Sequence, residues 1–546
     1  MADEKTTTTK KTFLGGAVIL GIAGILIKVL GAFFRIPLGN IIGTTGMAYY
    51  QAAYPVYNLF LSLSTAGIPI AISRMVSERT ALEHRDEAHR VFQISLKLLG
   101  VIGILSAAVM YFASTAIATN ARMPLAQYSF RAIAPALLVV PIMAAFRGYF
   151  QGMQNMKPTA VSQVIEQLFR VALGLTLAIV LVPRGVEFAA AGASFGATAG
   201  GIGGLAIILL IYGRAKRTIR SGILSSEPSE KEPASEILKQ ILVIAIPITI
   251  GSAIMPIMNS IDMAIVVKRL MVGGFAEARA TELYGELSGY AGALINFPQV
   301  LTQAVAMSLV PAVAAANKTG DLEFLRKNVS LGYRMAMMIG LPCAAGMMSL
   351  AAPILRMFYP SRQESAVSAA SCLFVLAFGV IFLSTVQMLT SVLQGVGKQM
   401  IPVRNLAIGA VAKLFCTYFL TPIPALNVKG AAAGTVICYV IASALNMAAV
   451  KKYTGTKFDF GLTFGKPLIS CLVMVLGVLG TYHGLTALVG SSWKANAVST
   501  VIAVGVGILL YALMILVTKA VTMEELERMP KGRLLVRLAS KFAGKS

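Results

Sequence analysis

Charged residues are too few in this chain to cover a water-facing surface: Asp, Glu, Lys and Arg make up 13% of its 546 residues, against 57% apolar ones. A soluble protein of this length carries about twice that charged share. The uncovered surface must therefore face lipid. Histidine is scarcer still. Of three, His84 and His89 fall in a charged loop and His483 near the end of an apolar run, so no H-E-x-x-H spacing exists for metal chemistry. There is no G-x-S-x-G elbow and no P-loop, and no polar stretch is long enough to fold into a nucleotide-binding domain. The expectation is a protein that is not an enzyme and uses no cofactor. The five cysteines, Cys343, Cys372, Cys416, Cys438 and Cys471, lie in apolar runs without a C-x-x-C pair, which reads as small core residues and not as a disulfide or metal site.

Acidic residues are also few, 23 against 47 basic ones, for a formal net charge of +24. Nucleic acid is the usual partner of so basic a chain. Here the basic residues stand in short clusters between apolar runs, a pattern of membrane topology, and no nucleic-acid partner is expected.

What the sequence has in abundance is apolar runs long enough to cross a bilayer, about 20 residues each. They fall near 13–39, 47–72, 91–116, 127–150, 159–183, 187–213, 237–267, 284–312, 331–351, 366–394, 402–422, 428–450, 464–488 and 496–519. This predicts an all-α integral membrane protein of about fourteen transmembrane helices. The polar start, Met1 to Lys11, leads into a first run that is too long for a signal peptide and has no small-residue cleavage site, so a retained first span is expected.

Cytoplasmic segments collect Lys and Arg. With the N-terminus inside, about 32 of the 47 basic residues fall in the inner segments. Among these are Arg74, Arg79, Arg85 and Arg90 between spans 2 and 3, Arg147 and Lys157 between spans 4 and 5, and a basic C-terminal tail. Both termini are expected in the cytoplasm of a bacterial inner-membrane protein.

The longest polar insert, Arg214 to Lys239, contains Ser225, Ser226, Pro228, Ser229 and Pro233 and reads as a linker after the sixth span. The expected division is an N-lobe over 1–213, the linker over 214–239, a C-lobe over 240–450, two further helices over 451–520 and a basic tail over 521–546. Internal similarity supports it. Gln151-Gly152 near the end of span 4 is matched by Gln394-Gly395 near the end of span 10, with Pro158 and Pro402 following. Arg170 and Lys413 each stand 19 residues on from their glutamine, and Ala189-Ala190-Ala191-Gly192 pairs with Ala431-Ala432-Ala433-Gly434. Two six-helix pseudo-repeats plus two C-terminal helices suit alternating access, in which one half rocks against the other around a central site.

A charge at the bilayer centre costs about 2.5 to 3.5 kcal/mol or more, so each one inside a span needs a reason. Lys28 lies mid-way along span 1, with Arg35 two turns on along the same face. Arg170 and Lys413 lie mid-span. Arg170 can pair with Glu166 one turn earlier, whereas Lys413 has no acid at helical spacing. Asp262 in span 7 can bind a coupling cation, pair with Lys28, or sit near the outer mouth beside Lys268 and Arg269. The interior balance is cationic, which implies an anionic substrate.

The stretch Lys28-Val29-Leu30-Gly31 with Arg35, then Gly43-Thr44-Thr45-Gly46-Met47-Ala48-Tyr49-Tyr50-Gln51, then Ala66-Gly67-Ile68-Pro69-Ile70-Ala71-Ile72-Ser73-Arg74, resembles the first helices of bacterial polysaccharide-biosynthesis exporters. With Gln151-Gly152, the chain is similar to the MurJ and stage V sporulation protein B branch of the MATE-like MOP (multidrug, oligosaccharidyl-lipid, polysaccharide) superfamily. The resemblance implies a flippase for lipid II, the undecaprenyl-diphosphate-linked peptidoglycan precursor. It also implies a cationic cavity for the diphosphate and a groove beside the last two helices for the polyprenyl tail. Lys28 and Arg35 match the basic residues of the family's first helix; the arginines that Gram-negative members carry in the second have no counterpart in Leu59-Phe60-Leu61-Ser62-Leu63. The candidate substrate-binding residues are thus Lys28, Arg35, Arg74, Arg170 and Lys413, and the ion-coupling candidates Asp262 and Glu166. The expected partners are a lipid-linked oligosaccharide and membrane lipids, with the chain acting as a monomer. A flippase for another lipid-linked polysaccharide unit is the alternative; a cation-coupled multidrug exporter would prefer an acidic cavity and twelve helices.

Overall fold

The apolar runs fold as helices, since inside a bilayer only a helix satisfies its own backbone polar groups. The structure, a computed structural model, describes residues 2–224, 232–490 and 492–521, with side chains from Ala23 onward except Ile25 and Ala32. Ser225, Ser226, Pro228, Ser229 and Lys231 of the linker and residues 522–546 of the basic tail lie outside the described residues, as do the side chains of Lys5, Lys10 and Lys11. Among the described residues there is no strand. The helices are α1 (Ala2–Thr65), α2 (Ile68–Ala81), α3 (Arg85–Phe112), α4 (Ser114–Asn120), α5 (Gln127–Ile133), α6 (Ala136–Gly152), α7 (Lys157–Leu181), α8 (Val186–Leu224), α9 (Ala234–Val272), α10 (Glu277–Gly285), α11 (Gly292–Thr319), α12 (Leu322–Ser349), α13 (Ala351–Phe358), α14 (Gln363–Gly395), α15 (Met400–Leu420), α16 (Val428–Thr454), α17 (Lys466–Val489) and α18 (Trp493–Val517).

Among the described residues, twelve helical segments are long and apolar enough to cross a membrane, and α12 with α13, bent by 80°, makes a thirteenth. The first of them, Leu26–Ala81, has 56 residues, more than twice what one span requires. It is broken at Gly43, whose φ of 67° and ψ of −172° lie outside the helical region and are open to glycine without strain. Counting it as two spans recovers the fourteen expected. A single residue thus does the work that the sequence assigned to an outer loop over Asn40 to Gly46. A second break, at Ala66 and Gly67, separates α2 from α1 within the run expected as span 2.

The chain divides into two compact units, Met1–Met271 with Phe275–Gly285 and Val272–Gly274 with Glu286–Ser546. Nearly all of α9 belongs to the first, so this division falls later than the linker after span 6. In the first unit, α7 lies along α8 because α8 presents glycine at every fourth position. A Cβ at Gly196 would stand 2.7 Å from the Arg170 carbonyl oxygen, at Gly200 2.5 Å from that of Glu166, and at Gly204 3.1 Å from that of Ser162. Small residues let helix backbones approach where lipid offers no hydrophobic drive for association. In the second unit α15 and α16 meet the same way, Gly430 against Leu420 and Thr421, and Gly434 against Lys413 and Thr417.

The core of the second unit joins Tyr333 and Met337 of α12 to Met388, Leu389 and Val392 of α14, with Val313 of α11 and Val450 of α16. Helix α18 is tied on by polar contacts suited to a dry interior. Tyr511 donates to the Met338 carbonyl (3.0 Å), and Asn496 donates to the Pro353 carbonyl (3.1 Å) beside the bend before α13.

The α8 glycines yield a test. Gly200→Ala drives a methyl group into the Glu166 carbonyl and should cost about 1–3 kcal/mol, whereas Gly213→Ala, with nothing within 4 Å, should leave the thermal midpoint of the purified protein unchanged or slightly raised. A Gly200→Ala variant as stable as the parent would contradict this packing.

Candidate functional site

Polar residues on α7 recur at helical spacing, Ser162, Gln163, Glu166, Gln167 and Arg170, and so form one stripe along an otherwise apolar helix. The close approach of α8 walls one flank of that stripe, since a Cβ at Gly200 would also stand 3.1 Å from Cβ of Arg170. The open flank meets α6. There Arg147 donates from Nη2 to Oε2 of Glu166 (3.0 Å) and from Nε to Oγ of Ser162 (2.8 Å), while Arg170 donates from Nη2 to Oε1 of Glu166 (2.9 Å). One carboxylate thus bridges two guanidinium groups, one oxygen to each. The three side chains are only 13%, 14% and 20% exposed for Arg147, Glu166 and Arg170, so the pairs count for more than surface ion pairs.

These groups line a cavity of about 410 Å³ within the first unit. Ile27, Leu61, Thr65 and Pro69 come from α1 and α2, Val140, Ala144, Arg147 and Gln151 from α6, and Gln163, Glu166, Gln167 and Arg170 from α7. Its charged lining carries a net charge of +1, and its remaining polar groups are amides and one hydroxyl. An aromatic ladder on α1 leads toward it: Phe34 to Tyr50 at 6.1 Å between ring centroids, Tyr50 to Tyr54 at 4.6 Å, and Tyr54 to Tyr57 at 5.9 Å. Tyr50, Tyr54 and Tyr57 all lie within electrostatic range of Arg170. Among the described residues, Nε of Arg170 and Oη of Tyr57 are buried without a hydrogen-bond partner.

Of the residues singled out in the sequence, Glu166 and Arg170 come together here, as their four-residue spacing allows. The sequence pattern puts Arg147 in the cytoplasmic loop between spans 4 and 5; in the structure it lies inside α6, about one turn before that helix ends at Gly152. The signal for it was slight: an arginine still flanked by Phe146 and Phe150 in an apolar run, one turn before Gln151. Ser162 and Tyr57 had no signal of their own.

Lys28 is exposed on α1 next to Ile27 of the cavity wall, and Arg35 is half-buried two turns on. Between them on the same face, Gly31 packs toward Gln167, whose Nε2 would be 3.5 Å from a Cβ there. Neither Lys28 nor Arg35 lines the cavity. Arg74 is not brought to it either. It sits beyond the break at Ala66 and Gly67, on α2, in an exposed ion pair with Glu78 (2.8 Å). Lys413 is buried on α15 in the second unit, and Asp262 is half-buried on α9.

Helices long and apolar enough to cross a membrane, with a net cationic cavity between α1, α2, α6 and α7, define the class as a polytopic membrane protein of transporter architecture. The sequence profile of the polysaccharide biosynthesis protein family matches residues 13–317, more than half of the chain, and the chain belongs to that family. It is 28% identical over 535 residues to stage V sporulation protein B of Bacillus subtilis (strain 168), covering 97% of this chain and 100% of that one. With the lipid II flippase MurJ of the same organism it shares 26% identity over 477 residues, 85% of this chain and 87% of the relative. The fold is similar to a solved structure of lipid II flippase MurJ in an inward closed conformation, with a TM-score of 0.68 at 15% identity over 91% of this chain and 98% of the other. The resemblance read from the first helices thus extends along the whole chain.

The shared carboxylate predicts two coupled ion pairs. In double-mutant cycles of Glu166→Gln with Arg147→Gln and with Arg170→Gln, thermal stability should show coupling energies of about 0.5–3 kcal/mol in both. A cycle with Arg147 that is additive would remove it from the cluster.

Proposed function

We propose that this protein is a flippase that moves an undecaprenyl-diphosphate-linked glycan, the peptidoglycan precursor lipid II, from the inner to the outer leaflet by alternating access. The observation that carries this reading is the pair of guanidinium groups in the first unit's cavity, held by one carboxylate between them and leaving a net positive charge. Two arginines facing one space suit a diphosphate, whose oxygens accept the paired hydrogen bonds that a guanidinium offers. The name of one relative, the lipid II flippase MurJ of Bacillus subtilis, supports the choice of substrate.

In this reading Arg147 and Arg170 contact the diphosphate, while Lys28 and Arg35 extend the cationic surface along α1. Glu166 and Asp262 remain the acidic groups able to take part in ion coupling. The two six-span halves rock in alternating access, with both chain termini in the cytoplasm of a bacterial inner membrane. Return of the empty, positively charged cavity toward the cytoplasm is favoured by the membrane potential, each charge moved through 100 mV being worth about 2.3 kcal/mol. The groups invoked recognise the diphosphate and not the sugars, so a different lipid-linked polysaccharide unit would use the same contacts.

The test is growth of a host depleted of its own lipid II flippases. The wild-type chain should restore growth, and the Arg147→Gln/Arg170→Gln variant, expressed at the same level, should not. Rescue by the double variant would exclude these arginines, and failure of the wild-type chain to rescue while correctly inserted would exclude lipid II.

A further inference from the structure

An empty carrier has to cross between its two states without substrate, and two bare guanidinium groups in a low-dielectric interior would make that costly. Glu166 removes part of this cost. Its two carboxylate oxygens are each taken by one arginine, at 3.0 Å by Arg147 and 2.9 Å by Arg170, which are the contacts a bridging diphosphate would need. Substrate and Glu166 cannot both hold them. We propose that Glu166 is a resident counter-anion, which occupies the arginine pair when the cavity is empty, is displaced by an incoming diphosphate, and whose return expels it. This rests on the flippase reading above and adds to it a group that competes with the substrate.

Two further features fit a carboxylate that leaves and comes back. Arg147 does not depend on Glu166 alone for its orientation, because its Nε donates to Oγ of Ser162 at 2.8 Å, and that hydroxyl is itself anchored to the Thr159 carbonyl at 2.9 Å. The guanidinium therefore stays aimed when the carboxylate moves. Tyr57, 1% exposed, has a hydroxyl with no hydrogen-bond partner among the described residues and lies within electrostatic range of both Glu166 and Arg170. A buried phenol left without an acceptor is a costly arrangement. It becomes a favourable one in the loaded state, when the displaced carboxylate accepts its proton in a hydrogen bond.

The experiment is equilibrium binding of farnesyl diphosphate to the purified full-length protein in nanodiscs, with inorganic pyrophosphate as a tail-free probe. Glu166→Gln should bind farnesyl diphosphate about tenfold more tightly than wild type, because removing a competitor for charge-assisted hydrogen bonds outweighs the loss of one fixed charge pair. Glu166→Asp, which keeps the charge but is one methylene too short to bridge both arginines, should tighten binding by a few-fold and serves if the glutamine variant does not fold. Tyr57→Phe should weaken binding in the wild-type background and have no effect beside Glu166→Gln, whereas a purely structural Tyr57 would give equal losses in both. Unchanged or weaker binding by folded Glu166→Gln or Glu166→Asp overturns the proposal. If Arg147→Gln and Arg170→Gln abolish binding while the Glu166 variants do not tighten it, only the counter-anion fails. Binding unaffected by either arginine variant sinks the flippase site as well.

Discussion

A charge inside a membrane protein must have a partner, and much of this structure follows from meeting that demand for Arg147 and Arg170. Each is held by the same carboxylate, and the group as a whole retains one positive charge. Removing Glu166 would leave two buried cations, whereas removing either arginine leaves a neutral pair. The asymmetry gives the cavity its sign and, under the flippase reading, its substrate class.

Holding that cluster together is a matter of backbone distance. Glu166 and Arg170 can face α6 because α8 presents glycine to the α7 backbone at Gly196, Gly200 and Gly204. Larger residues would push the helices apart and open the flank that now walls the charged stripe. The small-residue pattern, which by itself signals only close helix packing, here fixes where the polar stripe of α7 can point. Around Lys413, Gly430 and Gly434 of α16 likewise approach α15 closely.

Much of the fold was legible in the sequence because hydropathy over about 20 residues is a long signal, and the all-α membrane architecture follows from it. Single-residue features were not. The turn between the first two spans is one glycine, Gly43, and hydropathy cannot locate a break that leaves the flanking residues helical. Arg147 was misplaced for a related reason, since a basic residue one turn inside a helix end looks the same as one in the loop beyond it. The pair of Arg170 with Glu166 was readable, being one turn apart on one helix. The bridge to Arg147 was not, because it depends on which helices are neighbours. Arg74 belongs to a motif that resembles the family's, yet the break at Ala66 and Gly67 carries it onto a separate helix with an exposed partner.

The central claim is that the arginine pair of the first unit holds the diphosphate of a polyprenyl-linked substrate, and native mass spectrometry of the protein extracted from a bacterial membrane tests it most directly. The account predicts a retained undecaprenyl-diphosphate lipid on the wild-type chain, lost from the Arg147→Gln/Arg170→Gln variant while phospholipid adducts stay the same. Equal retention of that lipid by the two proteins would contradict it.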